Sequence, residues 1–312
     1  MSQTRRNFIK NTTAVTGAML LNPLAELMAK EELPNVKGKA GYELLFMQTD
    51  WGFGGSRDEF CAAAKKDGYQ GIEVWWPGDK VEDQKALFDA VKKHGLQIGF
   101  LCGGYQADAK AHFETFKKNL DAVCANTYQK PLYVNCHSGK DYFTYEQNKP
   151  IIDYTISKAK TTGIPIYHET HRGRMMFAAH VTRNFAEKHP DLQLTLDISH
   201  WCAVHESLLG DQKETIDYLL DRVEHIHSRV GHAQGPQVND PRAPEWENVL
   251  KAHLAWWDKV ITRKKQKGER MTILTEFGPP DYMPTLPYTR QPLANQWEIN
   301  MHMMNLLRKR YQ

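Results

Sequence analysis

The sequence predicts an α/β chain folded as a single (β/α)8 barrel, and three observations carry that prediction. Short apolar runs alternate with longer amphipathic stretches, strand then helix, eight times over. That alternation is the signature of a parallel sheet with its helices outside. The 312 residues, less a distinct N-terminal segment, leave about 280, close to the ~250 of one such barrel. No low-complexity tract or Pro/Gly/Ser linker divides them. Finally, Glu169, Asp197, His227 and Glu276 each end an apolar run, at successive spacings of 28, 30 and 49 residues. A strand plus its return helix takes about 30 residues.

Taken in order, strand one spans Tyr42–Met47 and its helix Arg57–Lys66. Strand two, Gly71–Trp76, precedes a helix over Asp83–His94; strand three, Leu96–Leu101, precedes one over Ala109–Ala125. Strand four, Leu132–His137, leads into Glu146–Thr161. The next four strands run into Glu169, Asp197, His227 and Glu276, with helices at Met176–Lys188, Val204–Asp221, Trp246–Lys267 and, closing the chain, Leu293–Arg310. Gly68, Gly95 and Gly163 each follow a helix closely and fit the left-handed residue that ends one.

The first 29 residues read separately. Thr4-Arg5-Arg6-Asn7-Phe8-Ile9-Lys10 fits a twin-arginine export signal, followed by a modest apolar stretch from Ala14 to Leu21 that is too short to anchor in a bilayer. The expected partition is therefore a signal peptide over 1–29 and the barrel over 30–312, with the twin-arginine translocase as a partner in export, a periplasmic location and no stable membrane anchor. The formal charge of +3 is partly in that signal, so the mature domain is near neutral, which argues against nucleic-acid binding. Five scattered cysteines without CxxC spacing read as small core residues. Association into a homo-oligomer is left open.

Ligand-type residues at successive strand ends converge on the carboxyl face of a barrel, where such folds keep their chemistry. Each has a plainer reading alone: Glu169 or Glu276 as a polar rim residue, Asp197 as a helix cap, His227 as a satisfied core histidine. Four together point to a site for one divalent metal, of the Mn, Mg, Co or Zn kind, since no cysteine completes a closed structural zinc site. Around them stand candidate substrate contacts: His200, three residues past Asp197; Arg229, two past His227 and able to grip an anionic oxygen; His137 at the fourth strand end; and His171 with Arg172. Trp75, with Trp51 and Trp76, can offer a platform to a sugar ring, though aromatics also simply pack a barrel mouth. The polar segment Gly231–Pro244 places His232 and Gln237 where they can overhang the site, against the plainer reading of a connecting insertion. Glu73 lies inside a strand and reads as structural.

Gly71-Ile72-Glu73-Val74-Trp75, Leu196-Asp197-Ile198-Ser199-His200, His225-Ile226-His227 and Thr275-Glu276-Phe277 together resemble the xylose isomerase-like superfamily of metal-dependent barrels, the sugar phosphate isomerases and epimerases. The resemblance runs from about Tyr42 to Glu276. It implies that Glu169, Asp197, His227 and Glu276 bind one Mn²⁺, Mg²⁺, Co²⁺ or Zn²⁺, and that His200 touches substrate or a second metal. Two segments depart from the pattern. His168-Glu169-Thr170-His171-Arg172-Gly173 is more basic than the usual Glu-Pro or Glu-Asn, and His227-Ser228-Arg229 replaces the common continuation of strand seven.

The expected reaction follows from the donors. A metal gripping a carbonyl and its neighbouring hydroxyl acidifies the carbon between them, and Glu169 and Glu276 are the expected base and acid. That reads as a sugar or keto-sugar isomerase or epimerase. A keto-sugar or keto-glycoside lyase or hydratase is the alternative, because it begins with the same proton. An endonuclease IV-like phosphodiesterase would need a denser metal set, with an Asp-x-His where Asp240-Pro241-Arg242 stands. A non-catalytic sugar-binding barrel is the remaining class. Export itself argues against a phosphorylated substrate.

Overall fold

The computed structural model describes residues 37–312; the twin-arginine pattern and the apolar stretch after it lie outside the described residues. Eight parallel strands close into a barrel in sequence order, β1 pairing with both β2 and β8. The strands are β1 (Glu43–Thr49), β2 (Gly71–Trp75), β3 (Gln97–Gly103), β4 (Val134–His137), β5 (Ile166–Glu169), β6 (Leu194–Leu196), β7 (Val223–His227) and β8 (Arg270–Thr275). The helices between them are α1 (Arg57–Lys66), α2 (Val81–His94), α3 (Ala109–Ala125), α4 (Tyr145–Thr162), α5 (Ala179–Lys188), α6 (Ile198–Val204), α7 (Lys213–Leu220), α8 (Glu247–Lys267) and the closing α9 (Gln296–Tyr311). The sequence expectation of a single-domain (β/α)8 barrel holds. None of the helices among the described residues is long and apolar enough to cross a membrane.

Local chemistry sets the helix ends. Ser56 and Glu59 form a reciprocal capping box at the start of α1, as do Thr144 and Gln147 at α4, satisfying backbone N–H groups that the first turn leaves open. Gly95 and Gly163 end α2 and α4 at φ of 62° and 63°, a left-handed turn that only glycine takes without steric cost. The expected single helix over Val204–Asp221 is instead two. α6 starts directly at Asp197 and ends at Val204; Glu206 and Leu209 then take positive φ of 48° and 58°, which a continuing right-handed helix forbids. α7 begins afresh at Lys213.

Alternation along the strands sorts side chains to two sides of the barrel wall. One side faces the helices and builds the large core with residues such as Ile72, Val74, Ile98, Phe100, Ile226 and Ile273. The other fills the barrel, where Met47, Tyr133, Tyr167 and Leu274 form a separate apolar plug. Gly99 belongs to that side: a Cβ there would stand 2.5 Å from Tyr133 Cζ, so the missing side chain is what admits the tyrosine ring. Cys61, Cys102, Cys136 and Cys202 are buried and unpaired, Cys124 half-buried and unpaired, in keeping with small core residues. Above the plug the barrel interior turns polar.

Candidate metal centre

The four strand-end residues meet. One ligand atom from each of Glu169, Asp197, His227 and Glu276 lies within 4.8 Å of all the others, and all four residues are buried. β5 ends on Glu169 and β7 on His227; Asp197 is the residue between β6 and α6, and Glu276 directly follows β8. The cluster therefore sits at the carboxyl end of the barrel.

Each donor is held by named neighbours. Glu169 Oε2 accepts from Asn135 Nδ2 at 2.8 Å and lies 2.5 Å from His137 Nε2. Its other oxygen, Oε1, is buried without a hydrogen-bond partner. Burial opposes its charge, but His137 and His227 outweigh that and hold the carboxyl well below the usual range, so it stays ionised. Asp197 Oδ1 caps α6, accepting from Ser199 N at 3.1 Å, while Oδ2 pairs with Arg229 Nη2. The capping role and membership of the cluster coexist in this residue. Burial pushes its carboxyl up to about 6 in spite of the guanidinium.

His227 stands between two carboxylates. Nε2 is 3.1 Å from Glu73 Oε1, and Nδ1 is 2.7 Å from Glu276 Oε2. Burial lowers its basicity, yet Glu276, Glu169 and Glu73 outweigh this and hold the imidazole well above its ordinary value. Glu73 itself is fully buried in β2, with Oε2 3.0 Å from His225 Nε2. Burial works against its charge, and His227 and His225 more than compensate, so it too is held well below the carboxylate range. His225 leans in turn on Thr272 Oγ1 at 2.7 Å and on the Tyr133 ring at 4.3 Å. Glu73 and Asn135 are the site residues that strand-end reasoning passes over. Their signal was parity: Glu73 alternates with the helix-facing Ile72 and Val74 on β2, and Asn135 precedes His137 by two on β4, so both share the inward face.

The donor set fits a divalent cation. Three carboxylates and one imidazole are oxygen-rich, mixed ligation. An acceptor as exposed to charge as Glu169 Oε1 is costly to bury with no partner. His227 Nδ1 and Glu276 Oε2 sit at hydrogen-bond distance, 2.7 Å, so a proton lies between them, and a metal ion can take the place of that proton. Glu73, accepting at Nε2, leaves Nδ1 as the nitrogen that faces the ligands, the carboxylate–histidine–metal arrangement. Arg229 competes: buried, 3.4 Å from Glu276 Oε2 and paired with Asp197, it already supplies a cation to two of the four donors.

Of the other expected contacts, His200 and Arg229 are at the cluster. Arg229 Nη2 donates to His200 Nε2 at 2.9 Å, and Arg229 Nη1 and His200 Nδ1 are buried donors with no acceptor. Tyr282 covers the guanidinium at 4.7 Å and Trp51 at 5.9 Å, so the aromatic cover comes from Trp51 and from a tyrosine the sequence did not single out. His137 touches Glu169 directly, and Trp75 packs edge-on against His137 at 5.1 Å. His171 lies with its ring centre 4.7 Å from that of His137 and 3.9 Å from that of His200; burial pulls it down to about 3, so it is neutral. His232 behaves differently: its backbone pairs with that of Gly235 across a tight turn, its Nδ1 accepts from Gln234 N–H at 3.3 Å, and its ring packs on Trp246 at 4.8 Å. Gln237 clamps the backbone of Gly278 through both its amide atoms, at 3.1 and 2.7 Å, and so fixes the loop after β8. A polar cavity of about 960 Å³ opens at the opposite end of the barrel, where Arg263 and Lys264 share Glu224 and Lys264 pairs also with Glu269.

No family model matches this chain, and no curated protein matches it in sequence. Solved structures do. A D-allulose 3-epimerase from Methylomonas sp. superposes with a TM-score of 0.57 at 14% identity, over 88% of this chain and 99% of that one. A probable 3-DHS dehydratase from Bacillus anthracis gives 0.54 at 16% identity, over 85% and 98%. A 3-keto-D-glucoside 4-epimerase from E. coli gives 0.54 at 12% identity, over 85% and 99%. At these identities the likeness establishes a shared barrel fold.

Proposed function

We propose that this chain is an exported, divalent-metal-dependent enzyme of the xylose isomerase-like superfamily, an isomerase or epimerase acting on an unphosphorylated sugar or keto-sugar. The observation that carries this reading is the meeting of Glu169, Asp197, His227 and Glu276 within 4.8 Å at the carboxyl end of the barrel. The epimerase and dehydratase activities of barrels with the same fold support it.

A bound divalent ion supplies Lewis-acid polarisation of a carbonyl, which acidifies the adjacent carbon. The chain's own groups do the rest. Glu169, held ionised, is the carboxylate that accepts the proton from that carbon. His137 and Asn135, both on Oε2, fix the carboxylate plane. Because His137 and His227 hold its basicity down, Glu169 needs the substrate carbon acidified; positioned proton transfer contributes only about 10²–10⁴-fold. Glu276 returns a proton as the acid. Arg229 Nη1 and His200 Nδ1, the two buried donors lacking acceptors, bind substrate oxygens, and Trp51, Tyr282 and Trp75 shut out water around the ring. A lyase or hydratase starts with the same proton and differs only in what leaves next. Asp240, engaged by Arg242 at 2.8 and 2.6 Å, offers nothing to a phosphodiesterase metal cluster.

The test is a solvent-deuterium exchange screen over unphosphorylated keto-sugars and 3-keto-glycosides. Exchange at the carbon next to the carbonyl, lost in Glu169→Gln and Glu276→Gln, is the expected result. Undiminished exchange in both variants would make these residues ligands only and move the base to His200 or His171. No exchange by the wild-type protein with any of these sugars counts against the enzyme reading and for a binding protein.

A further inference from the structure

The four donors occupy only half of the barrel mouth. Glu169, Asp197, His227 and Glu276 stand at or just past the ends of β5 to β8, and the ends of β2, β3 and β4 carry a different set. Trp75 is the last residue of β2, Tyr105 lies two past the end of β3, and His137 ends β4. The Trp75 ring packs edge-on against His137 at 5.1 Å and lies 6.0 Å from the Tyr105 ring. Gly103 leaves room for this arrangement: a Cβ there would stand 2.8 Å from the His137 carbonyl oxygen and 3.4 Å from Trp75 Cζ3. The two rings form a shelf at the edge of the site, and His137, 2.5 Å from Glu169, joins that shelf to the cluster.

The shelf is open to solvent. Trp75 is 36% and Tyr105 59% exposed, whereas Tyr133 and Phe100 lower on the neighbouring strands are buried. Two large rings left side by side in water are a surface that gains by being covered. Polar groups rim it. Arg174 Nη1 reaches the Gly104 carbonyl at 3.5 Å; burial raises the Tyr105 phenol above its ordinary value, and the Arg174 guanidinium works against that. An aromatic floor with hydrogen-bonding groups at its edge suits a pyranose, whose C–H faces are apolar and whose hydroxyls radiate from the ring. That pyranose is not the reacting one. A sugar whose carbonyl is held at the cluster lies by Arg229 and His200, beneath Trp51 and Tyr282. Tyr105 is two aromatic steps outward from Glu169, past His137 and Trp75, where a ring held at the cluster does not reach.

We propose that Trp75 and Tyr105 form a subsite for a second sugar ring, so that the substrate is a glycoside, a keto-sugar joined through its glycosidic oxygen to another pyranose, and not a free monosaccharide. The proposal rests on the sugar-enzyme reading above and deepens it. Continuity with the cluster commits the shelf to this occupant: a ligand anchored at Glu169 and extending past His137 arrives on it. Tyr105 then sets specificity, because it meets the distant ring and not the reacting one. Trp75 serves both, since it also packs on His137.

The full-length chain, with Mn²⁺ present, is given methyl 3-keto-glucoside, phenyl 3-keto-glucoside and the 3-keto derivatives of cellobiose, maltose and trehalose, and solvent-deuterium exchange is followed for each. Titration calorimetry with the unoxidised disaccharides and methyl glucosides adds a readout that needs no turnover. The wild type is expected to exchange at least one disaccharide about tenfold more efficiently than the methyl glycoside, the worth of one stacked ring face, with the gain in KM. Tyr105→Ala is expected to remove that advantage and leave the methyl glycoside unchanged. Tyr105→Phe, which keeps the ring, is expected to retain most of it. Equal efficiency for the methyl glycoside and every disaccharide, or an advantage that survives Tyr105→Ala, would overturn the subsite while the sugar-enzyme reading stands. An equal gain for the phenyl glycoside would overturn the assignment of the shelf to a sugar. If no keto-sugar exchanges, calorimetry decides. Tighter disaccharide binding that Tyr105→Ala removes upholds the subsite although the proton-transfer reading falls; no such difference overturns both.

Discussion

His227 donates from Nε2 to Glu73 Oε1 at 3.1 Å, deep in the barrel, and so presents Nδ1 to the three strand-end carboxylates. Glu73 thereby decides which nitrogen faces the cluster without being a ligand of it. Glu73→Gln keeps the size and an acceptor oxygen but removes the charge that fixes the tautomer. Metal affinity in this variant is expected to fall about 10–100-fold, the usual effect of losing an outer carboxylate partner. Isothermal titration with Mn²⁺ reads it; unchanged affinity would mean that Glu73 is only a core ion-pair residue.

Arg229 balances Asp197 in the absence of metal. Replacing it by Met strands a buried carboxylate, which costs about 3–5 kcal/mol. A divalent ion relieves that charge, so Arg229→Met should melt well below the wild type in chelator and recover on adding Mn²⁺, while binding Mn²⁺ more tightly than the wild type does. Turnover should still be lost, since Nη1 no longer meets substrate. A variant whose melting temperature does not respond to metal would show that Arg229 and the ion do not share Asp197.

His253 gives the fold a pH limit. Its Nδ1 donates to the Val249 carbonyl at 2.9 Å and its Nε2 accepts from Gly231 N–H at 3.2 Å, so a second proton breaks the tie between α8 and the loop after β7. Burial pulls the imidazole down to about 4, below its ordinary ~6.5. The unfolded chain takes the proton first, so this contribution is complete above about pH 6.5 and is lost as pH falls towards 4, by up to about 1.4 kcal/mol per pH unit. An NMR titration should keep His253 neutral to about pH 4; a midpoint near 6.5 would contradict the buried-acceptor assignment.

The export signal makes its own prediction. Arg5→Lys with Arg6→Lys should leave the protein in the cytoplasm at its full length, read by fractionation and intact mass. Normal periplasmic delivery of the double variant would mean that residues 1–29 are not a twin-arginine signal.

The barrel and the four strand ends were legible because they depend on periodicity and spacing, which one chain carries in full. α3 was placed to the residue at Ala109–Ala125, whereas Val204–Asp221 was read as one helix because nothing in its polarity marks the left-handed turns at Glu206 and Leu209. Glu73 went unassigned for a different reason. A carboxylate in mid-strand looks structural until the barrel closes and sets it under His227, a residue 154 positions away. Tyr282 was invisible likewise: its place over Arg229 depends on the path of the loop after β8, which Gln237 fixes from the neighbouring loop after β7. His232 was expected over the site from the length, polarity and place of the segment after strand seven, whereas a local turn with Gly235 and the Trp246 ring set its position.

The central claim is that Glu169, Asp197, His227 and Glu276 together hold a divalent ion, and metal analysis after dialysis against Mn²⁺ tests it most directly. The wild-type protein should retain one Mn²⁺ per chain, and Asp197→Ala should lose most of it; because Asp197 is buried, caps α6 and pairs with Arg229, the circular dichroism spectrum is recorded alongside so that loss of metal is read only from folded protein. Full Mn²⁺ occupancy in Asp197→Ala, or none in the wild type, would contradict the claim.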